Sequence, residues 1–282
     1  DATFNYDKLK EHVRLAQRIM DDIIDLELEK IELIMQKIES DPESEEVKGA
    51  EKHLWEKIYH KSRYGRRTGV GITAEGDMIA AMGLKYGTPE ATYFSADIHK
   101  IIAVEAYRSS VQMAKERGAF AIYDAEREKN NPFVNRIKSV DPALYEEMAQ
   151  YGRRNIACLT IAPTGTTSLM TQTTSGIEPV FMPVHKRRRK VNPNDTNVRV
   201  DFVDESGDSF EEYIVYHPKF LTWMQVNNYD ISKNDTQDEI DELIKKSPYY
   251  GATANDVDWL EKVKMQGAIQ KWVDHSISVT VN

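Results

Sequence analysis

One cysteine, Cys158, stands alone among 282 residues. A single thiol excludes an intrachain disulfide framework, a CxxC zinc site and a redox-active cysteine pair within the chain. No apolar run approaches the ~20 residues that cross a bilayer, and the opening DATFNYDKLK lacks the basic-then-apolar layout of a secretory signal. The seven histidines show neither HxxxH nor HExxH spacing, so no metal site is indicated. Cations are few: 37 Lys and Arg stand against 46 Asp and Glu, and the net charge is -9. That balance argues against general nucleic-acid binding, because duplex affinity comes mostly from neutralising phosphates. What remains is a folded cytoplasmic protein without a membrane partner, 40% hydrophobic and 29% charged, with length for one large domain or two smaller ones. There is no initiator Met, and the last residues, SISVTVN, are strand-like. Both ends are expected to be cuts, making residues 1–282 a single segment of something longer.

Periodicity organises what is present. Leu9, Val13, Ala16, Ile19, Met20, Ile23 and Ile24 recur at three- and four-residue spacing, predicting a helix from 6 to about 38 with Asn5 as N-cap. The acidic break ESDPESEE separates it from a second helix over about 45–63. GRRTGVGITAEGDMIAAMGLKYG is a glycine-punctuated strand or loop, then a short helix ending near Gly83. Thr88, Pro89 and Glu90 supply an N-cap, a proline at N1 and an acid in the first turn of a helix that Gly118 stops. AFAIYD is a short strand or turn into a polar loop, 125–138, and a short helix spans 141–152. NIACLTIAP reads as a buried strand, apolar on both faces as in parallel sheets. Residues 186–210 form an edge hairpin or an excursion. Helices are expected at about 209–226, 235–246 and 255–271, the last opening with Thr253 and Asp256 at capping-box spacing. A final strand closes the chain. The class is α/β, rich in helix with few, scattered strands.

The densest chemistry lies in IAPTGTTSLMTQTTSGIEP, residues 161–179. Gly165 and the hydroxyls of Thr164, Thr166, Thr167 and Ser168 follow the buried strand. Exposed N–H groups leading into a helix could cradle an anion there; a plain strand-to-helix turn with Ser and Thr caps is the other reading. The lysine of GxxxxGK[ST] is absent, so this is not a P-loop. GVGITAEG (69–76) does not fit GxGxxG and reads as a tight packing turn. HKRRRK (185–190) is either a solvated basic strand or a local field that draws a charged substrate. Cys158, inside an apolar run, reads as a structural thiol. Asp274 and His275 form an acid/base pair or a packing pair.

Four stretches taken together resemble one family. GRRTGVGITAEGDMIAAMGLKYG, AYRSSVQMAKERGAF, NIACLTIAPTGTTSLMTQTTSGIEPVF and WVDHSISVTVN, in that order, look like the catalytic subunit of ribonucleotide reductase. The form APTGTTS with SGIEPVF is most similar to the adenosylcobalamin-dependent class II enzymes, with a class I large-subunit segment as the alternative. The resemblance implies part of a ten-stranded α/β barrel built from two parallel five-stranded halves. It implies reduction of a ribonucleotide to a 2′-deoxyribonucleotide by a thiyl radical, with adenosylcobalamin as cofactor. Pro163, Thr164, Gly165, Thr166, Thr167 and Ser168 would then be the substrate-phosphate loop. The family's Asn-x-Cys-x-Glu finger loop, its reducing cysteine pair and its Cys-rich tail are missing. No catalytic residue is therefore expected in this segment, whose partners would be the ribonucleotide and the upstream half of the enzyme, with room for a homodimer. The other reading is a noncatalytic nucleotide-binding or assembly fragment of that enzyme.

Overall fold

In the computed structural model, which describes residues 2–192, 194–195, 197–230 and 236–281, the Asn5 side chain accepts from the Lys8 amide at 2.9 Å. That cap starts α1 (Tyr6–Ser40), 35 residues long. It turns Val13, Gln17, Asp21, Ile24, Ile31 and Ile38 inward, one stripe at helical spacing. Ser44 caps α2 (Glu45–Gly65), which packs against α1 and ends on Arg66 in the left-handed region (φ 45°). Arg66 is held there by Asp21, Asp25 and the Asp21 carbonyl. A short α3 (Glu75–Ala81) leads to α4 (Pro89–Arg117), with Thr88 as cap and Gly118 as stop, the boundaries its sequence predicts. Helix α4 is the core of the molecule: Ile98, Ile102, Ala103, Ala106, Tyr107 and Val111 are buried on it, and α1, α7 and α11 pack around it.

Residues 125–138 are not a loop. They hold α5 (Ala125–Glu128) and α6 (Pro132–Val140), each begun by a side-chain cap, Asp124 and Asn131. AFAIYD is a turn. Helix α7 (Pro142–Tyr151) follows at the expected place. Residues 65–71, 156–161 and 275–278 then run side by side in parallel. The Val70 amide donates to the Cys158 carbonyl (2.8 Å), Thr160 to Val70 (3.0 Å), Ile161 to Ser276 (3.1 Å) and Ser278 to Ile161 (2.8 Å). NIACLTIAP is thus buried and extended, but it forms isolated parallel bridges, Val70 with Leu159 and Ile161 with Ile277, rather than a continuous strand. The reason is Asp274. Its carboxylate takes the amides of Cys158 and Leu159 (2.9 and 2.8 Å), which a neighbouring strand would otherwise bind.

After α8 (Gly165–Thr171) comes a three-stranded antiparallel sheet of β1 (Val184–Lys190), β2 (Phe202–Val203) and β3 (Ser209–Tyr216), in the order β1-β3-β2. Its register pairs Val184 with Tyr216 and Lys190 with Phe210. The hairpin expected over 186–210 is present, but the helix expected from 209 is not. SFEEYIVY pairs as β3, and α9 (Pro218–Val226) begins only at its proline, because the residue before a proline is biased to extended backbone. Helix α10 (Gln237–Lys246) opens with a capping box at Thr236 and Glu239; the predicted start at Asp235 lies outside the described residues, as does Asn282 of the final strand. Helix α11 (Trp259–Gln270) is capped by Asp258, while Thr253 and Asp256 bond each other in the turn before it. Among the described residues there are eleven helices, and no ten-stranded barrel forms from them. No described helix is long and apolar enough to cross a membrane.

Candidate functional site

The two hydroxyl-rich loops fold onto each other. Thr164 sits in the left-handed region (φ 50°), and its hydroxyl accepts from the Gly176 amide at 2.7 Å. Ser168 donates to the Gly165 carbonyl and shares a bond with Ser175 at 2.7 Å. Thr171 meets Thr173 at 2.8 Å. The second loop is pinned from behind by the residues leading into α3: Thr73 and Ala74 donate to the Thr174 carbonyl, and Tyr86 donates to the Ile177 carbonyl at 2.6 Å. Gly76 sits directly under this loop, where a Cβ would lie 2.7 Å from the Glu178 carbonyl oxygen.

These loops form one wall of a cleft of about 900 Å3. Of the residues singled out by sequence, Pro163, Gly165, Thr166 and Ser168 line it, and Thr164 and Thr167 do not. No side chain caps the start of α8, and Thr166 is exposed. The lining also includes His185 of β1, Tyr216 at the end of β3, His217 at the start of α9, and Glu178, Lys262, Ser278 and Thr280.

A hydrogen-bonded acid–histidine contact and an ion pair, both partly buried, hold the cleft walls, and neither carries a local sequence signal. Asp77 of α3 accepts from His217 Nε2 (2.7 Å), from the Tyr249 hydroxyl (2.9 Å) and from the Thr174 amide (2.8 Å). Burial, with the Asp77 charge second, pushes the Tyr249 hydroxyl well up from its ordinary value. Lys262 of α11, itself buried, reaches Glu178 at 2.5 Å, and the other Glu178 oxygen accepts from the Thr280 amide at 2.6 Å. Asp77 and His217 are 140 positions apart, so local patterning could not join them. Glu178 stood in the quoted motif, but its partner Lys262 carried no local signal.

A family model described as the ribonucleotide reductase barrel domain matches residues 1–282. The chain belongs to this family. Over 280 residues it is 27% identical to a vitamin B12-dependent ribonucleoside-diphosphate reductase of Thermoplasma acidophilum, covering 99% of this chain and 29% of that relative. It is 27% identical over 182 residues to the enzyme of the same description from Mycobacterium tuberculosis, covering 64% of this chain and 20% of the relative. A ribonucleoside-diphosphate reductase subunit alpha of Chlamydia pneumoniae is 27% identical over 194 residues, covering 62% of this chain and 16% of the relative. The chain therefore spans less than a third of the length of these relatives.

In this ribonucleotide reductase barrel chain the remaining sequence candidates turn out structural. Four of the five cations of HKRRRK, all on β1, pair with acids across the sheet: Arg188 and Lys186 with Glu212, Arg189 with Glu211, Lys190 with Asp208. Only His185 of that run lines the cleft. GVGITAEG, expected as a packing turn, is instead an extended stretch that pairs at Val70 and leads into α3, and its role is packing: a Cβ on Gly71 would overlap the Thr160 carbonyl oxygen. Cys158 is fully buried, and burial, with the nearby Asp274 charge second, pushes its thiol well up. Asp274 anchors backbone amides and the Tyr107 hydroxyl (2.8 Å) instead of pairing with His275. Asp21, Asp22 and Asp25 gather on α1 and are met by Arg66, Arg117 and Arg154.

Proposed function

We propose that this chain is the substrate-phosphate-binding part of a B12-dependent ribonucleotide reductase, an enzyme that converts ribonucleoside diphosphates to 2′-deoxyribonucleotides in the cytoplasm. The observation that carries the reading is the joining of APTGTTS and TTSGIEP into one cleft wall, in a chain that matches the family model from end to end. Pro163, Thr164, Gly165, Thr166, Thr167 and Ser168 form the phosphate loop. Gly165, Thr166 and Ser168 face the ligand, and Thr164 braces the loop from behind through Gly176. The parallel segments 65–71, 156–161 and 275–278 are neighbouring strands of the family's ten-stranded barrel, and residues 1–282 are one segment of it, completed by an upstream half.

The radical chemistry comes from outside this chain. Its one thiol is sealed in the core against Asp274, with no face toward the cleft. Cobalamin enters through the names of the relatives. The cleft lining is mostly apolar, and its polar groups are the loop hydroxyls and the Glu178–Lys262 ion pair, which suit a phosphorylated ligand rather than a corrin face. No cobalamin contact is assigned to this chain and no step runs through one here.

The enzyme carrying this chain, given adenosylcobalamin, a dithiol and a ribonucleoside diphosphate, is expected to release the deoxyribonucleotide. Thr166→Ala should weaken diphosphate binding by ~1.5–3 kcal/mol, the worth of a charge-assisted hydrogen bond. Nucleotide binding without product would instead identify a noncatalytic module, the reading that the single buried cysteine favours for the chain by itself. Unchanged diphosphate affinity in Thr166→Ala would remove the loop assignment.

A further inference from the structure

We propose that His217 is a second contact for the substrate's diphosphate, lining the same cleft as the APTGTTS loop. The inference rests on the phosphate-binding reading and adds a residue that no loop motif contains. His217 lines the cleft with a side chain 12% exposed. Its backbone is fixed by Pro218 in an extended conformation (φ -61°, ψ 129°), and its amide donates to the Pro183 carbonyl at 2.8 Å. The ring is therefore delivered to one place.

The hydrogen bonds around Asp77 decide which ring nitrogen is available. Asp77 accepts at each side-chain contact, from Tyr249 and from the Thr174 amide as well as from His217. An ionised carboxylate can only accept, so Nε2 carries the proton in that bond. Nδ1 is the nitrogen left over, and it has no partner among the described residues. In the imidazolium form Nδ1–H becomes a charged donor, the chemistry a phosphate oxygen selects. The other basic side chains on the cleft are disposed differently. Lys262 is already bound to Glu178, and His185 lies on the exposed edge of β1.

The test uses the enzyme that carries this chain, with His217→Ala, His217→Gln and Thr166→Ala variants. Two quantities are read: KM for a ribonucleoside diphosphate, and the inhibition constant of inorganic pyrophosphate, which presents the anion without the nucleoside. Both should rise about tenfold or more in His217→Ala, with a smaller effect on kcat. His217→Gln keeps a donor for Asp77, so it should restore the melting temperature without restoring pyrophosphate affinity. If His217→Ala does not fold, the Gln variant alone decides. An unchanged pyrophosphate constant in the His217 variants, with Thr166→Ala raising it, overturns the His217 contact and leaves the loop reading standing. Constants that move in none of the three variants overturn both.

Discussion

Asp77 and Thr174 bind each other twice. The Thr174 amide donates to the Asp77 carboxylate at 2.8 Å, and the Asp77 amide donates back to the Thr174 hydroxyl at 3.4 Å. This reciprocal pair sews the second hydroxyl loop to the first turn of α3, while His217 and Tyr249 close on the same carboxylate.

Removing the carboxylate leaves three donors stranded in the interior. Asp77→Ala should lower the unfolding free energy by on the order of 3 kcal/mol, measured by urea titration. Thr174→Val removes only the longer of the two bonds and should cost within about 1 kcal/mol. Equal losses would mean that the loop is held elsewhere.

Two glycines should respond with opposite signs to alanine. At Gly71 the added methyl would run into the Thr160 backbone, an overpacking expected to cost about 1–3 kcal/mol. Gly49 lies inside α2 with nothing within 4 Å of its Cβ position, so Gly49→Ala should stabilise by roughly 0.5–1 kcal/mol. Thermal melts of the two variants check both signs.

Acid should weaken the α1 anchor. Burial pushes the Asp21 carboxyl up, but hydrogen bonds and charge from Arg66, with Arg154 and Asn155, outweigh it and leave the carboxyl below its ordinary value. A carboxylate depressed in the folded state binds fewer protons than in the unfolded chain. Its stabilisation is present above the unfolded carboxylate range, roughly pH 4, and is lost as pH falls through the lower folded value. Asp21→Asn should be less stable at neutral pH and lose less on acidification. A wild-type stability flat from pH 7 to about pH 2 would contradict this.

Cys158 should be chemically silent in the folded protein. Its thiol is buried and its ionisation is opposed by burial and by Asp274. Iodoacetamide labelling, followed by mass spectrometry, should track global unfolding in urea. Rapid labelling without denaturant would contradict the buried placement.

Where local chemistry sets the backbone, the fold was legible. Asn5, Thr88 and Gly118 mark helix ends in the sequence and mark them in the structure. Asn131-Pro132 carries the same signal for α6, a cap followed by proline at N1, inside a polar stretch whose composition reads as loop. SFEEYIVY forms β3 rather than the start of the expected helix over 209–226, because its pairing partners, the cations of β1, lie some twenty residues upstream and are invisible to local patterning. The loop motif found one wall of the cleft. The rest of its lining depended on contacts such as Asp77 with His217 and Lys262 with Glu178, which exist only after distant segments meet.

The mutual bonding of Thr164, Ser168, Ser175 and Gly176 has a kinetic consequence. A wall whose hydroxyls already hold one another has settled its ordering entropy at folding, not at the moment of encounter. On the proposed phosphate-loop reading, ligand capture at this wall is expected at a rate set by diffusion and charge, without a loop-closing phase.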